Sequence, residues 1–88
     1  MGYSVPNPAN GESSVDYTLE VSQEVQIDVF DVAGRRVRNL ESGVRPAGQN
    51  WVSWDGRMDD GHQAPSGVYF FRLQSGGAAL TSRVVRVR

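Results

Sequence analysis

Residues 54–73 read WDGRMDDGHQAPSGVYFFRL. Three acids, the only histidine, one of two tryptophans and two Asp-Gly dipeptides fall in this span, which then ends in an apolar run. The same letters suit a catalytic cluster, a calcium loop or the corner of a β-sandwich, and their order decides between them. Asp-Gly is turn chemistry: the aspartate bonds the backbone two residues on, and glycine takes positive φ without a steric cost. The run after Gly67, VYFFRLQ, is β-branched and aromatic and reads as a strand. Asp55 is therefore expected to cap a first turn. Asp59 to His62 form a solvated bend, and Gly67 lets the chain drop into a core strand.

Working outward, the same grammar repeats. SVDYTLEV (14–21) alternates Val15, Tyr17, Leu19 and Val21 with polar residues, and EVQIDVFD (24–31) does so with Val25, Ile27 and Val29. SQE between them reads as a short hairpin-like connection. DVAGRRV (31–37) is a tight turn in which Gly34 supplies positive φ. RRVRNL resumes an extended run, and ESGVRPAGQ (41–49) reads as a second turn region. NWVSWD (50–55) is a strand, SGGAA (75–79) a glycine hairpin and TSRVVRVR (81–88) a final β-branched strand. No window has helical periodicity with caps. Six to seven short strands at a spacing of roughly ten residues predict an all-β, Greek-key antiparallel sandwich of immunoglobulin type. Residues 1–13 are expected to be a linker or lead-in segment and 14–88 the domain. Met1-Gly2 reads as an added start, and the chain as a piece of something larger.

Parity assigns faces. Trp51 and Trp54 differ by three, so on one strand they point to opposite sides. Trp54 and Val52 are placed inward and Trp51 outward. On the later strand Tyr69, Phe71 and Leu73 point inward, leaving Val68, Phe70 and Arg72 outside. Trp51 and Phe70 are thus candidates for a stacking surface that meets a partner or a sugar ring.

Composition limits the chemistry. The 88 residues contain no cysteine, so neither a disulfide nor a thiolate metal site is possible. All nine positive charges are arginine, which removes Schiff-base and phosphate-loop lysine chemistry. The net charge of −1 lacks the basic excess of a nucleic-acid module. Residues 1–44 carry seven acids and three arginines, net −4; residues 45–88 carry three acids and six arginines, net +3. Paired strands would neutralise that split, or it leaves a small basic end around Arg83, Arg86 and Arg88. No stretch approaches the ~18–20 apolar residues of a membrane span, and the start has neither the basic nor the apolar segment of a signal peptide.

A serine triad would need His62 held by a carboxylate against a serine on a rigid scaffold. Asp59, Asp60 and Ser66 are close to His62 in sequence, but in a turn-rich stretch. Asp59 and Asp60 are neighbours that point apart, unlike the facing acids of a glycosidase. Asp55, Asp59 and Asp60 with Gly61 supply part of a calcium site, yet not the alternating ligands and closing glutamate of an EF-hand loop. They are kept as weak metal candidates. No catalytic residue and no cofactor are expected.

Four pieces in order resemble one family: PNPANG (6–11), VFDVAGRRVRNL (29–40), AGQNWVSWDGR (47–57) and GHQAPSGVYFFRL (61–73). With the closing TSRVVRVR they resemble the Ig-like domain of the flagellar hook-capping protein and the related C-terminal sorting domains of type IX secretion. The family-motif positions would be Pro6, Pro8, Gly34, Trp54, Asp55, Gly56, Gly67 and Tyr69. The resemblance implies a non-catalytic module on a secreted bacterial protein, exported through the periplasm to the outer surface or beyond. Its partners would be secretion and sorting machinery, or an upstream catalytic domain of the same parent chain. Neither nucleic acid binding nor membrane insertion is expected, and the domain would be a monomer. The alternatives are a carbohydrate- or protein-binding accessory module, a structural spacer, and a hook-cap-like assembly domain. Trp51, Phe70, Arg83, Arg86 and Arg88 are the partner-binding candidates. The last strand, alternating valine and arginine, is expected at a sheet edge where backbone groups remain available to a partner.

Overall fold

The structure is a computed structural model that describes residues 2–4 and 13–86. Pro6, Pro8, Arg88 and most of the expected lead-in segment lie outside the described residues. Seven strands are present among the described residues: β1 (Gly2–Ser4), β2 (Ser13–Leu19), β3 (Gln23–Phe30), β4 (Arg36–Arg45), β5 (Gly48–Trp54), β6 (Gly67–Ser75) and β7 (Ala78–Arg86). They form a three-stranded sheet, ordered β1-β2-β5, and a four-stranded sheet, ordered β4-β3-β6-β7. Each strand pairing is antiparallel. The all-β immunoglobulin-like sandwich read from the sequence is the fold of the protein.

The core follows the alternation. β2 buries Val15, Tyr17 and Leu19, β3 buries Val25, Ile27 and Val29, and β6 buries Tyr69, Phe71 and Leu73. Trp54 from β5 and Val84 from β7 complete it, with Ala64 from the intervening loop. Parity holds for both tryptophans: Trp54 is 1% exposed and Trp51 64%. Burying an aliphatic or aromatic side chain of this kind contributes about 1.5–3 kcal/mol. The apolar periodicity therefore fixes which face of each strand turns inward.

Several expectations are corrected. SQE does not close a hairpin, because β2 and β3 belong to different sheets and the link crosses between them. ESGVR is not a turn, because β4 runs on through Arg45 and only Pro46 and Ala47 separate it from β5. Gly43 lies inside β4 with φ +140°, opposite Val25, where the extended ladder accepts it. Of the lead-in segment, Gly2–Ser4 pairs with β2, and Ser13 begins that strand.

The β3–β4 turn shows how aspartates are used throughout. Asp31 Oδ1 accepts bonds from the backbone N–H of Ala33 (3.0 Å) and Arg35 (2.9 Å), and Oδ2 meets Arg35 Nε at 3.1 Å. Gly34 takes φ +83° at the apex. The Arg35 N–H, more than any other group, holds the Asp31 carboxyl below its ordinary value of 3.8. A depressed folded value means the clamp is at full strength above pH 3.8 and is lost as the pH falls through that lower value. Protection of the Ala33 and Arg35 amides, taken from NMR exchange rates relative to the intrinsic rate at each pH, is expected to fall in that acid window. Asp31→Asn should remove that step in protection.

Candidate functional site

The opening stretch folds into a dense corner between β5 and β6. Arg57 N–H donates to Asp55 Oδ1 at 2.9 Å, and His62 N–H donates to Asp60 Oδ1 at 2.9 Å, so each Asp-Gly is an Asx turn. Gly56 and Gly61 take φ of +83° and +90°. A second layer of bonds crosses the loop: Met58 N–H to His62 O (2.8 Å), Gly61 N–H to Met58 O (2.9 Å) and Ala64 N–H to Gly56 O (2.8 Å). Asp59 leaves this circuit. Its backbone N–H donates to Val37 O at 2.8 Å, and its Oδ1 accepts from Asn39 N–H at 3.1 Å, tying the loop to β4.

The three carboxylates named as weak metal candidates therefore do not converge. Asp55 turns toward Arg57 N–H and Arg38, whose Nη1 is 3.5 Å away; Asp59 toward Asn39; Asp60 toward His62. Among the described residues no group of three or more histidine, aspartate or glutamate side chains is placed to hold a metal ion. His62 is solvent-exposed, with Nδ1 3.2 Å from Asp60 Oδ1.

Behind the turns sits an aromatic and cationic knot. Trp54 meets Tyr69 edge-on at 5.2 Å between ring centroids, and Phe71 at 6.0 Å. Its Nε1 donates to Arg57 O at 2.8 Å, so the indole is satisfied inside the core. Tyr69 Oη donates to Pro65 O at 2.7 Å, a return to the backbone four residues upstream like that of the immunoglobulin tyrosine corner. Burial raises the Tyr69 phenol above its usual value, against the pull of the Arg86 charge.

Arg86 completes the knot, contrary to the sequence reading. Expected at a solvent-facing basic end, it is only 6% exposed. Its Nε donates to Ala64 O at 2.9 Å, and its guanidinium lies over the Trp54 ring, 5.8 Å from the centroid. The physical reason is parity: Arg86 shares a face with buried Val84, while Arg83 and Val85 face out. A strand of this register carries its arginine inward unless it slips by one residue. Gly56 makes room for it, because a Cβ there would fall on the Arg86 guanidinium.

The remaining candidates separate. Trp51 projects from the outer face of the three-stranded sheet and Phe70 from that of the other, so no single aromatic platform joins them. Phe70 and Arg83 do come together as direct cross-strand partners on β6 and β7. Two residues escaped the sequence reading. Phe30 pairs with Phe70, and Arg36 pairs with Phe30. The available signal was parity again, since Phe30 shares the outer face of β3 with Gln26 and Asp28. β7 is a terminal strand of its sheet, as expected of it.

Two sheets, a tyrosine corner and a tryptophan-centred core define an immunoglobulin-like sandwich domain. The comparisons then give the family: the model described as "FlgD Ig-like domain" matches residues 5–78, and the chain belongs to that family. Over 76 residues it is 33% identical to the basal-body rod modification protein FlgD of Salmonella typhimurium, and equally to that of Salmonella typhi. The match covers 81% of this chain and 33% of either relative, so the chain spans about a third of their length. Among solved structures, FlgD from P. aeruginosa superposes with a TM-score of 0.67 at 28% identity, covering 82% of this chain and 58% of that one. Dimeric latent PorU from Porphyromonas gingivalis superposes with a TM-score of 0.73 at 18% identity, covering 94% of this chain and 9% of that one. The latter likeness is one of fold.

Proposed function

We propose that this domain is a non-catalytic sorting or surface-attachment module of a secreted bacterial protein, read by export machinery through its β7 edge. The observation that supports this most is the place of β7 at the end of the four-stranded sheet, with Arg83 and Val85 turned outward. An edge strand offers unpaired backbone groups to an added strand, and its outward charge guards against indiscriminate pairing. The loop residues that look chemical in the sequence serve turns, which leaves recognition as the work of the fold. Export would place the domain outside the cell or on its outer surface.

The test is a reporter fused to the domain in a host with type IX machinery. The fusion is expected in the medium or on the surface, and deletion of residues 82–88 retains it inside. Val85 is 40% exposed, so Val85→Asp leaves the core intact and is expected to cut export several-fold. Export that is equal with and without the domain overturns the reading.

A second reading is favoured by the family itself. The relatives of 33% identity are basal-body rod modification proteins, and the domain would then be an assembly unit of a hook-cap-like protein. Restored motility when this domain replaces that of a FlgD relative would favour it.

A further inference from the structure

One row of side chains crosses the whole outer face of the four-stranded sheet. Arg36 on β4 pairs with Phe30 on β3, Phe30 with Phe70 on β6, and Phe70 with Arg83 on β7. Both phenylalanines are half-buried and both arginines exposed. Beside the aromatic pair is a shallow groove of about 360 Å³ lined by Phe30, Asp31, Val32, Gly34, Phe70, Arg72 and Thr81. Val32, at its rim, is 74% exposed.

The charge around this groove is one-sided. Arg36, Arg72 and Arg83 share the face with two nearby acids, Asp28 and the groove-lining Asp31, and both are already engaged. Asp28 is 4% exposed and accepts bonds from Gln26 Nε2 (2.9 Å) and Asn39 Nδ2 (2.8 Å), with Arg36 Nη1 3.8 Å away. Asp31, at the groove's lip, is clamped by Arg35. Among the described residues no carboxylate is within ion-pair distance of Arg72 or Arg83. The next acid on this face of β3, Glu24, lies six residues from Phe30, about 20 Å along the strand.

We propose that this row binds an extended acidic peptide of the pattern acid–x–apolar–x–acid, lying across the strands. The apolar side chain enters the Phe30–Phe70 groove, and the two carboxylates meet Arg36 and Arg83. The spacing fits. Arg36 and Arg83 stand three strands apart, about 14 Å at an inter-strand step of ~4.8 Å. In an extended peptide, residues i, i+2 and i+4 face one way, and the outer two are about 13 Å apart. Guanidinium groups favour carboxylates through paired hydrogen bonds, so an acidic partner is selected over a basic one. The proposal is independent of the export reading, and its test needs only the purified 88-residue chain.

The probe is a fluorescein-labelled Gly-Glu-Ser-Leu-Ser-Glu-Gly peptide, titrated at low salt and followed in parallel by amide shifts in NMR. Shifts are expected to centre on Phe30, Phe70, Thr81 and Arg83. Replacing both glutamates of the peptide by lysine, or its leucine by glycine, should weaken binding at least fivefold without touching the fold. Arg36→Ala with Arg83→Ala should weaken it about tenfold, with melting unchanged, and Arg83→Glu should reverse the preference toward the lysine peptide. Equal affinity for the glutamate and lysine peptides overturns the proposal. So do shifts that centre on Trp51, or stronger binding of an oligothymidine than of the acidic peptide.

Discussion

Trp54→Ala is expected to unfold the domain, or to lower its thermal midpoint by about 20 °C. The residue is 1% exposed and joins two edge-on aromatic contacts, a bond to Arg57 O and the face beneath Arg86. Truncating a buried tryptophan costs about 3–5 kcal/mol, because the cavity only partly collapses. A domain of this length has about 4–13 kcal/mol in all, and each kcal/mol moves the midpoint by roughly 4–8 °C. Trp54→Phe, which keeps an aromatic ring and leaves Arg57 O its bond from Arg38 Nη1 at 3.1 Å, should lose much less. Circular dichroism melts give the answer, and fluorescence adds a check: the exposed Trp51 left behind in Trp54→Ala should emit like tryptophan in water. A melt within 5 °C or so of the parent protein would show that Trp54 is not the centre of the core.

Gly56→Ala is expected to rival that loss although it adds a single methyl group. Two costs combine. A side chain at φ +83° is strained by about 1 kcal/mol, and the new Cβ displaces the Arg86 guanidinium. Displacement strips Ala64 O of its donor, and a buried carbonyl left unpaired costs about 1–3 kcal/mol more. A total of about 2–4 kcal/mol follows. The two residues act as one device, so their effects should not add. In an Arg86→Ala background the same Gly56→Ala change should cost only its backbone strain. Denaturant titration of the four proteins of this cycle measures the coupling, and full additivity would refute the arrangement.

Much of this was legible in the letters, and the failures have physical causes. Strand β6 was readable throughout because period-two alternation survives wherever pairing is regular. β4 was not: its pairing shifts between Ile27 and Asp28 and again between Val29 and Phe30, which puts Val37 and Leu40 against the core at a spacing of three. Gly43 made its second half look like a turn, because glycine marks positive φ without saying whether the chain bends or runs straight. The sheet to which a strand belongs is a non-local fact. Nothing in SQE distinguishes a hairpin from a step between layers. The weak calcium reading failed because Asp55, Asp59 and Asp60 each turn toward a different backbone N–H, an arrangement that composition does not express. Arg86 was misplaced by the ordinary habit of charge, although its parity with Val84 pointed inward. For the recognition row, Phe70 and Arg83 were readable one at a time, but only the register of four strands lines them up with Phe30 and Arg36.

The late position of Arg86 along the chain also sets a clock. The indole of Trp54 is sealed by a residue 32 positions further on, and Ser75 Oγ bonds a carbonyl 51 residues back, at Glu24. Contacts of such long range make folding slow, on the scale of milliseconds to seconds. A chain delivered from its first residue toward its last therefore keeps its aromatic centre open until β7 arrives.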